Sequence, residues 1–213
     1  MSGVSQGPEG SAGSPFVDLL DRLGSADPIP GAGAGLAWSG AAAAALAEMV
    51  CAVTLRQWAP EPDAPQLADS GRAEVERRRG QAADLRSELL KLADRDAAAY
   101  QDVLAVLRSR EEPDFGNRLG EALARAADPP LAIASATCAV AELAAVSLRE
   151  ARGGVRAEAV TAVELAECVT RGAVRLVEFN LAASPDDNRH NVARALVAQA
   201  RAALRSATME ADQ

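Results

Sequence analysis

Apolar and polar positions recur along this chain at spacings of three and four residues, the period of a helix lying on a core. Ser14-Pro15 opens the first such stretch, with Ser as N-cap and Pro at the first helical position. Phe16, Leu19, Leu20 and Leu23 share one face, and Gly24 ends it. A glycine-broken turn, Pro30-Gly31-Ala32-Gly33-Ala34, leads into a long, small-residue helix expected from about Ala34 to Trp58. Pro60, Pro62 and Pro65 stop it and keep the connector irregular. A third helix is expected from about Ser70 to Arg108. Its first part, Arg72 to Arg79, is densely charged and reads as solvated. Its second part carries a stripe at Leu85, Leu89, Leu92, Ala99, Val103 and Val106 or Leu107.

Glu111 to Gly116 breaks the pattern, and a short helix follows near Asn117 to Ala127. Asp128-Pro129-Pro130 signals the start of the next, Leu131 to Arg149, which Gly153-Gly154 closes. A further helix is expected from about Arg156 to Leu181. Ser184-Pro185-Asp186-Asp187 then caps a last amphipathic helix that ends near Ala207. No strand pattern and no internal repeat appear. The expectation is an all-α multihelical bundle with long Ala-rich core helices. Residues 1–13 read as a disordered tail and 14–208 as one helical domain. Alanine-faced helices leave little bulk between backbones, which suits a tight homodimer.

Composition supports this. Of 213 residues, 49% are hydrophobic and only 3% aromatic, a core of Ala, Leu and Val that favours close helix packing. The net charge of −8 argues against nucleic acid, whose phosphates need a basic face. Leu36 to Leu55 is long enough to span a bilayer, but its alanines and Glu48 favour a buried core helix over a membrane segment. Cys51, Cys138 and Cys168 lack metal-ligand spacing and sit in apolar runs. Buried reduced thiols, hence a cytoplasmic protein, are expected.

One carboxylate stands out. In the series 85, 89, 92, 96, 99, 103, Asp96 occupies a core-facing slot. A buried carboxylate costs several kcal/mol of desolvation unless it is paired or hydrogen-bonded. It is therefore either a structural anchor, for instance on another helix's first N–H groups, or a ligand contact with a shifted pKa. Asp94 lies on a different face. Glu48 and Glu142, the lone charges of two apolar helices, either face the site or, as lone charges on apolar helices more often do, reach solvent along one edge. Glu158 falls in a first helical turn, where the dipole favours it. The single histidine, His190, sits among polar residues and reads as surface. One His and three scattered Cys assemble no metal site and no nucleophilic triad. The Gly31–Gly33 turn is the remaining signal, because N–H groups at a helix start lack intrahelical partners and attract anions or polar ligand edges.

Together these residues carry a resemblance. Pro30-Gly31-Ala32-Gly33-Ala34, followed by the alanine run to Met49-Val50 and Thr54, resembles the PGGGS…AL..MV…T signature of the cyclodeaminase/cyclohydrolase family. Leu92 to Tyr100 is similar to its L-x-D-x-D-A-x-A-F segment, and Ala126 to Ile133 to its A..VPL helix start. Arg156-Ala157-Glu158, Gly172-Ala173 and Asn180-Leu181 fall where its SD, GA and NL elements would lie. The resemblance covers about residues 14–205.

It implies an all-helical dimer acting on a tetrahydrofolate one-carbon unit, with no tightly bound cofactor and no metal. The implied activity is methenyltetrahydrofolate cyclohydrolase or formiminotetrahydrofolate cyclodeaminase. The alternative is a catalytically degenerate member serving as a helical dimeric binding protein. The resemblance places Asp96 and Glu158 as catalytic groups, and Gly31, Gly33, Thr54, Arg56, Asp94 and Asn180 as substrate contacts. This chain departs from the pattern at Ala32 and Ala34 in the turn and at Gln57-Trp58, where a basic pair is expected. It departs again at Ala157-Glu158 for SD and at Leu176, where an Asn is expected.

Overall fold

The computed structural model describes residues 15–58, 65–151 and 153–211; the expected N-terminal tail, the Ser14 cap, Pro60 and Pro62 lie outside them. The described residues form seven helices and no strand. They are α1 (Pro15–Leu23), α2 (Ala32–Arg56), α3 (Pro65–Arg108), α4 (Phe115–Ala126), α5 (Asp128–Ser147), α6 (Val155–Asn180) and α7 (Arg189–Ala211). The all-α expectation holds.

Helix ends differ from the pattern for local reasons. α2 begins at Ala32, because Gly31 in an extended conformation serves as its N-cap. α3 begins at Pro65 and α5 at Asp128, each with proline near the first turn, where its missing N–H costs nothing. The last helix starts at Arg189, where Asp187 caps it by accepting the Arg189 N–H at 2.9 Å.

Side-chain contacts give the helix directions. Glu48 meets Arg86 at 3.1 Å, and Arg72 donates to the Leu55 carbonyl at 3.5 Å, so α2 and α3 are antiparallel. Cys51 Sγ faces Ser147 Oγ at 3.5 Å, and a methyl on Gly40 would come 2.6 Å from Thr137, so α2 and α5 are parallel. Thr137 and Thr170 share a hydroxyl hydrogen bond of 2.8 Å between α5 and α6. Arg156 reaches the Glu210 carbonyl at 2.7 Å, which sets α6 antiparallel to α7. One end of the bundle therefore gathers the starts of α2, α5 and α7 with the ends of α3, α4 and α6.

The core is built from Ala37, Ala43, Ala44, Ala47, Leu89, Leu92, Ile133, Leu148, Val163 and Val177, all essentially buried. α2 and the run Phe115–Ser147, which takes in α4 and α5, are long and apolar enough to cross a membrane, but each packs a buried face against other helices of the bundle. Three expectations need correction. The charged start of α3 is not wholly solvated: Val75 and Arg78 are buried, and Arg78 holds Glu150 through two bonds of 3.1 and 2.9 Å. Cys51 and Cys138 are buried, whereas Cys168 is exposed on the outer face of α6. α1 buries no residue, and Phe16 and Leu20 stay exposed, while Leu23 on the same helix packs over Gly35.

Candidate functional site

α2 starts without help from its own sequence. Gly31 has no capping side chain, and the first turn carries no acid. The missing acceptor comes from α3. Asp96 reaches across to the Gly33 backbone, where the Ala34 N–H, the third of the turn, favours its charged form. A carboxylate from a distant helix thus fills the place that Ser or Asp fills at an ordinary N-cap. Gly33 makes this possible, since a methyl group there would overlap the Asp96 carboxyl group. Burial raises the Asp96 pKa above the usual carboxylate range, and the Ala34 N–H opposes that rise.

A cavity of about 260 Å³ opens beside this contact. Gly31, Ala32 and Gly33 form one wall, and Asp96, Ala97 and Tyr100 of α3 a second. Pro130 of α5 with Leu176 and Asn180 of α6 completes it. Asn180 donates its amide to the Ala126 carbonyl at 2.8 Å, tying the end of α6 to the end of α4. Arg189 reinforces the same corner. It donates to the Ala124 carbonyl at 2.7 Å and pairs with Asp128 at 2.5 Å and Asp187 at 2.7 Å. Its guanidinium holds the Asp187 carboxyl down at about 2. Asp96 is the one ionisable acid on the cavity wall. The rest of the wall is mostly apolar, with Tyr100 and Asn180 as its other polar side chains.

The structure therefore gathers Gly31, Gly33, Asp96 and Asn180. It does not bring the other expected residues to them. Asp94 is exposed on another face of α3. Thr54 is buried near the far end of α2, donating to the Val50 carbonyl at 2.8 Å, and Arg56 is exposed just beyond it. At 1.5 Å per residue they lie about 32 and 35 Å from Gly33 along the helix. Glu158, in the first turn of α6, is about 33 Å from Asn180 by the same measure. Because α2 and α6 are antiparallel, Thr54, Arg56 and Glu158 share the opposite end of the bundle. Glu48 and Glu142 keep to the edges, the former paired with Arg86 and the latter exposed. His190 is half-buried, its Nε2 3.2 Å from the Ser184 carbonyl oxygen. Tyr100 was not singled out by the sequence, although it sits one turn beyond Asp96 on the same face. Among the described residues no cluster of three His, Cys, Asp or Glu could hold a metal.

An all-α domain whose single pocket acid crosses over to cap a glycine-walled helix start is a distinctive arrangement. The family model for formiminotransferase-cyclodeaminase matches residues 15–206, and the chain belongs to that family. In overall fold it is similar to a solved formiminotetrahydrofolate cyclodeaminase from Thermotoga maritima. The TM-score is 0.69 at 21% sequence identity, over 92% of this chain and 94% of that one. Among curated proteins, none matches.

Proposed function

We propose that this protein acts on a tetrahydrofolate one-carbon derivative, as a cyclohydrolase or a cyclodeaminase. The observation that carries the reading is Asp96, a half-buried carboxyl with a raised pKa on the wall of a small pocket at a bare helix start. Both reactions need proton transfer and little else. Hydrolysis adds water to the methenyl carbon, breaks its bond to one ring nitrogen and returns a proton to that nitrogen. Cyclodeamination joins the second nitrogen to the formimino carbon and expels ammonia, which must leave protonated. A carboxyl whose pKa burial has raised can donate or accept in either case. The same group could instead grip the N–H and amino edge of a pterin with its two oxygens.

The family's wider residue set suggests a shared site. α2 carries an uncharged stripe in which Ala42 and Met49 are exposed and Leu36, Ser39, Leu46 and Val53 are partly exposed. Its midpoint falls beside Ala45, near the middle of the helix. Two copies pairing this face about a two-fold axis perpendicular to α2 would run their α2 helices antiparallel. That pairing sets Arg56, Thr54 and the start of α6 with Glu158 toward the partner's Asp96 pocket. A homodimer in the cytoplasm fits this reading.

The binding-protein alternative draws on the scarcity of chemistry in one copy. Asp96 is alone in its pocket, and Leu176 stands where the family pattern has Asn. The deciding assay follows the near-ultraviolet absorbance of 5,10-methenyltetrahydrofolate with and without protein, and ammonia release from 5-formiminotetrahydrofolate. Acceleration of either supports the enzyme. Binding of a folate by calorimetry without turnover would favour the alternative, and neither would overturn both.

A further inference from the structure

The outer groove between α6 and α7 concentrates positive charge on an otherwise acidic protein. A cavity of about 480 Å³ there is lined by Arg171 and Arg175 of α6 and Arg194 and Arg201 of α7. Glu178 is the only acid on its wall. It shares no residue with the Asp96 pocket.

A buried acid organises it. Glu167 is 7% exposed and takes two bonds from Arg171 Nε, at 2.8 and 3.0 Å, while Arg201 approaches it at 3.6 Å. Two guanidiniums are thereby held from behind, and both remain about half exposed toward the groove. Arg175 pairs with Glu178 at 2.7 Å but is 75% exposed. Arg194 bonds only a neutral amide oxygen, Asn191 Oδ1, at 2.6 Å. Four cations against Glu167 and Glu178 leave the groove net positive, within a chain of net charge −8. Glu164, one turn away on α6, does not line it.

Geometry sets the ligand class. Arg194 and Arg201 are two helical turns apart, about 10 Å, and Arg171 and Arg175 one turn apart, about 6 Å. A second cavity of about 260 Å³ continues the groove past Glu178, Arg194 and His190. One small anion would engage part of this array. Guanidinium forks at such spacing match an anion with two or more oxyanion groups, phosphate or carboxylate. We propose that the α6–α7 groove is a binding site for a small polyanion, separate from the Asp96 pocket.

The test uses the full-length protein in calorimetric titrations with sodium pyrophosphate and with tricarballylate, each at matched ionic strength in sodium chloride. At least one should bind with a Kd below about 1 mM. Pyrophosphate alone would identify a phosphate site, tricarballylate alone a polycarboxylate site, and both a general oxyanion site. Arg175→Ala with Arg194→Ala should weaken binding at least about tenfold. These two leave no buried charge unpaired, whereas removing Arg171 would strand Glu167. Circular dichroism establishes that the double variant is folded. Arg110→Ala, outside the lining of the groove, and Asp96→Asn should both bind like the parent protein. The proposal is overturned if neither anion binds, if the folded double variant binds equally well, or if Asp96→Asn abolishes binding.

Discussion

Two roles are proposed for Asp96, anchor and proton carrier, and its substitution separates them. As an anchor it needs only an acceptor for the Ala34 N–H, which Asn also provides. As a proton carrier it needs an ionisable oxygen. Asp96→Asn should therefore lower turnover of the active folate by about 100-fold or more while the far-ultraviolet circular dichroism stays unchanged. The pH dependence has a definite sign. Burial raises the folded-state pKa, so the folded chain binds more protons than the unfolded one between the ordinary carboxylate pKa and the raised value. Stability from this group falls as pH climbs through that window. A pH series of melting temperatures should show Asp96→Asn flatter there, and no less stable than the parent at neutral pH. Gly33→Ala tests the anchor from the other side. Its methyl would collide with the carboxyl group and should cost about 1–3 kcal/mol in urea unfolding.

The helices are tied together by a few polar contacts whose weights differ with burial. Arg78 is 3% exposed and draws its principal partner, Glu150, from the segment after α5. Its Nε has no hydrogen-bond partner, and Glu74 is 3.9 Å away. Glu150→Ala would leave a buried guanidinium facing only that distant acid. A cost of about 2–4 kcal/mol in denaturant melts is expected, toward the lower end of buried-pair losses because Glu150 itself is partly exposed. By contrast the exposed pair Arg175–Glu178 should contribute less than about 1 kcal/mol. The buried hydroxyl bridge between Thr137 and Thr170 falls between these. Thr137→Val keeps the shape and leaves Thr170 its own Ala166 acceptor at 2.9 Å, for a loss of about 1 kcal/mol.

The arrangement of the whole chain bears on the shared-site proposal. A single copy holds Asp96 at one end of the bundle and Glu158 at the other. Sedimentation velocity should report a dimer, and Met49→Glu, a charge in the middle of the α2 stripe, should shift it toward monomer and lower activity together. Asp96→Asn and Glu158→Gln should each be inactive alone, yet a mixture left to exchange subunits should regain part of the activity, since mixed dimers contain one intact site. Full activity of Glu158→Gln by itself would remove Glu158 from the site.

Helix order and helix number were legible in the sequence because the helical period depends on neighbours three and four residues apart. Capping and proline signals located most boundaries to within a few residues. Asp96 was legible for the same reason, as a charge in an apolar stripe. Its two readings could not be separated there, because its partner, the start of α2, is remote in sequence. Arg78 was misread as solvated because a run of charges hides one position that turns inward to a distant acid. Cys168 was misread as buried because apolar neighbours along a helix do not reveal which face packs. By itself the sequence determined an all-α chain with a glycine-broken helix start and an acid poised in a stripe. Only the tertiary structure decided that the acid caps that helix start, and that Glu158, Thr54 and Arg56 lie at the far end of the same chain. Local periodicity fixes what each helix is; the direction in which long helices pack fixes which of their ends meet.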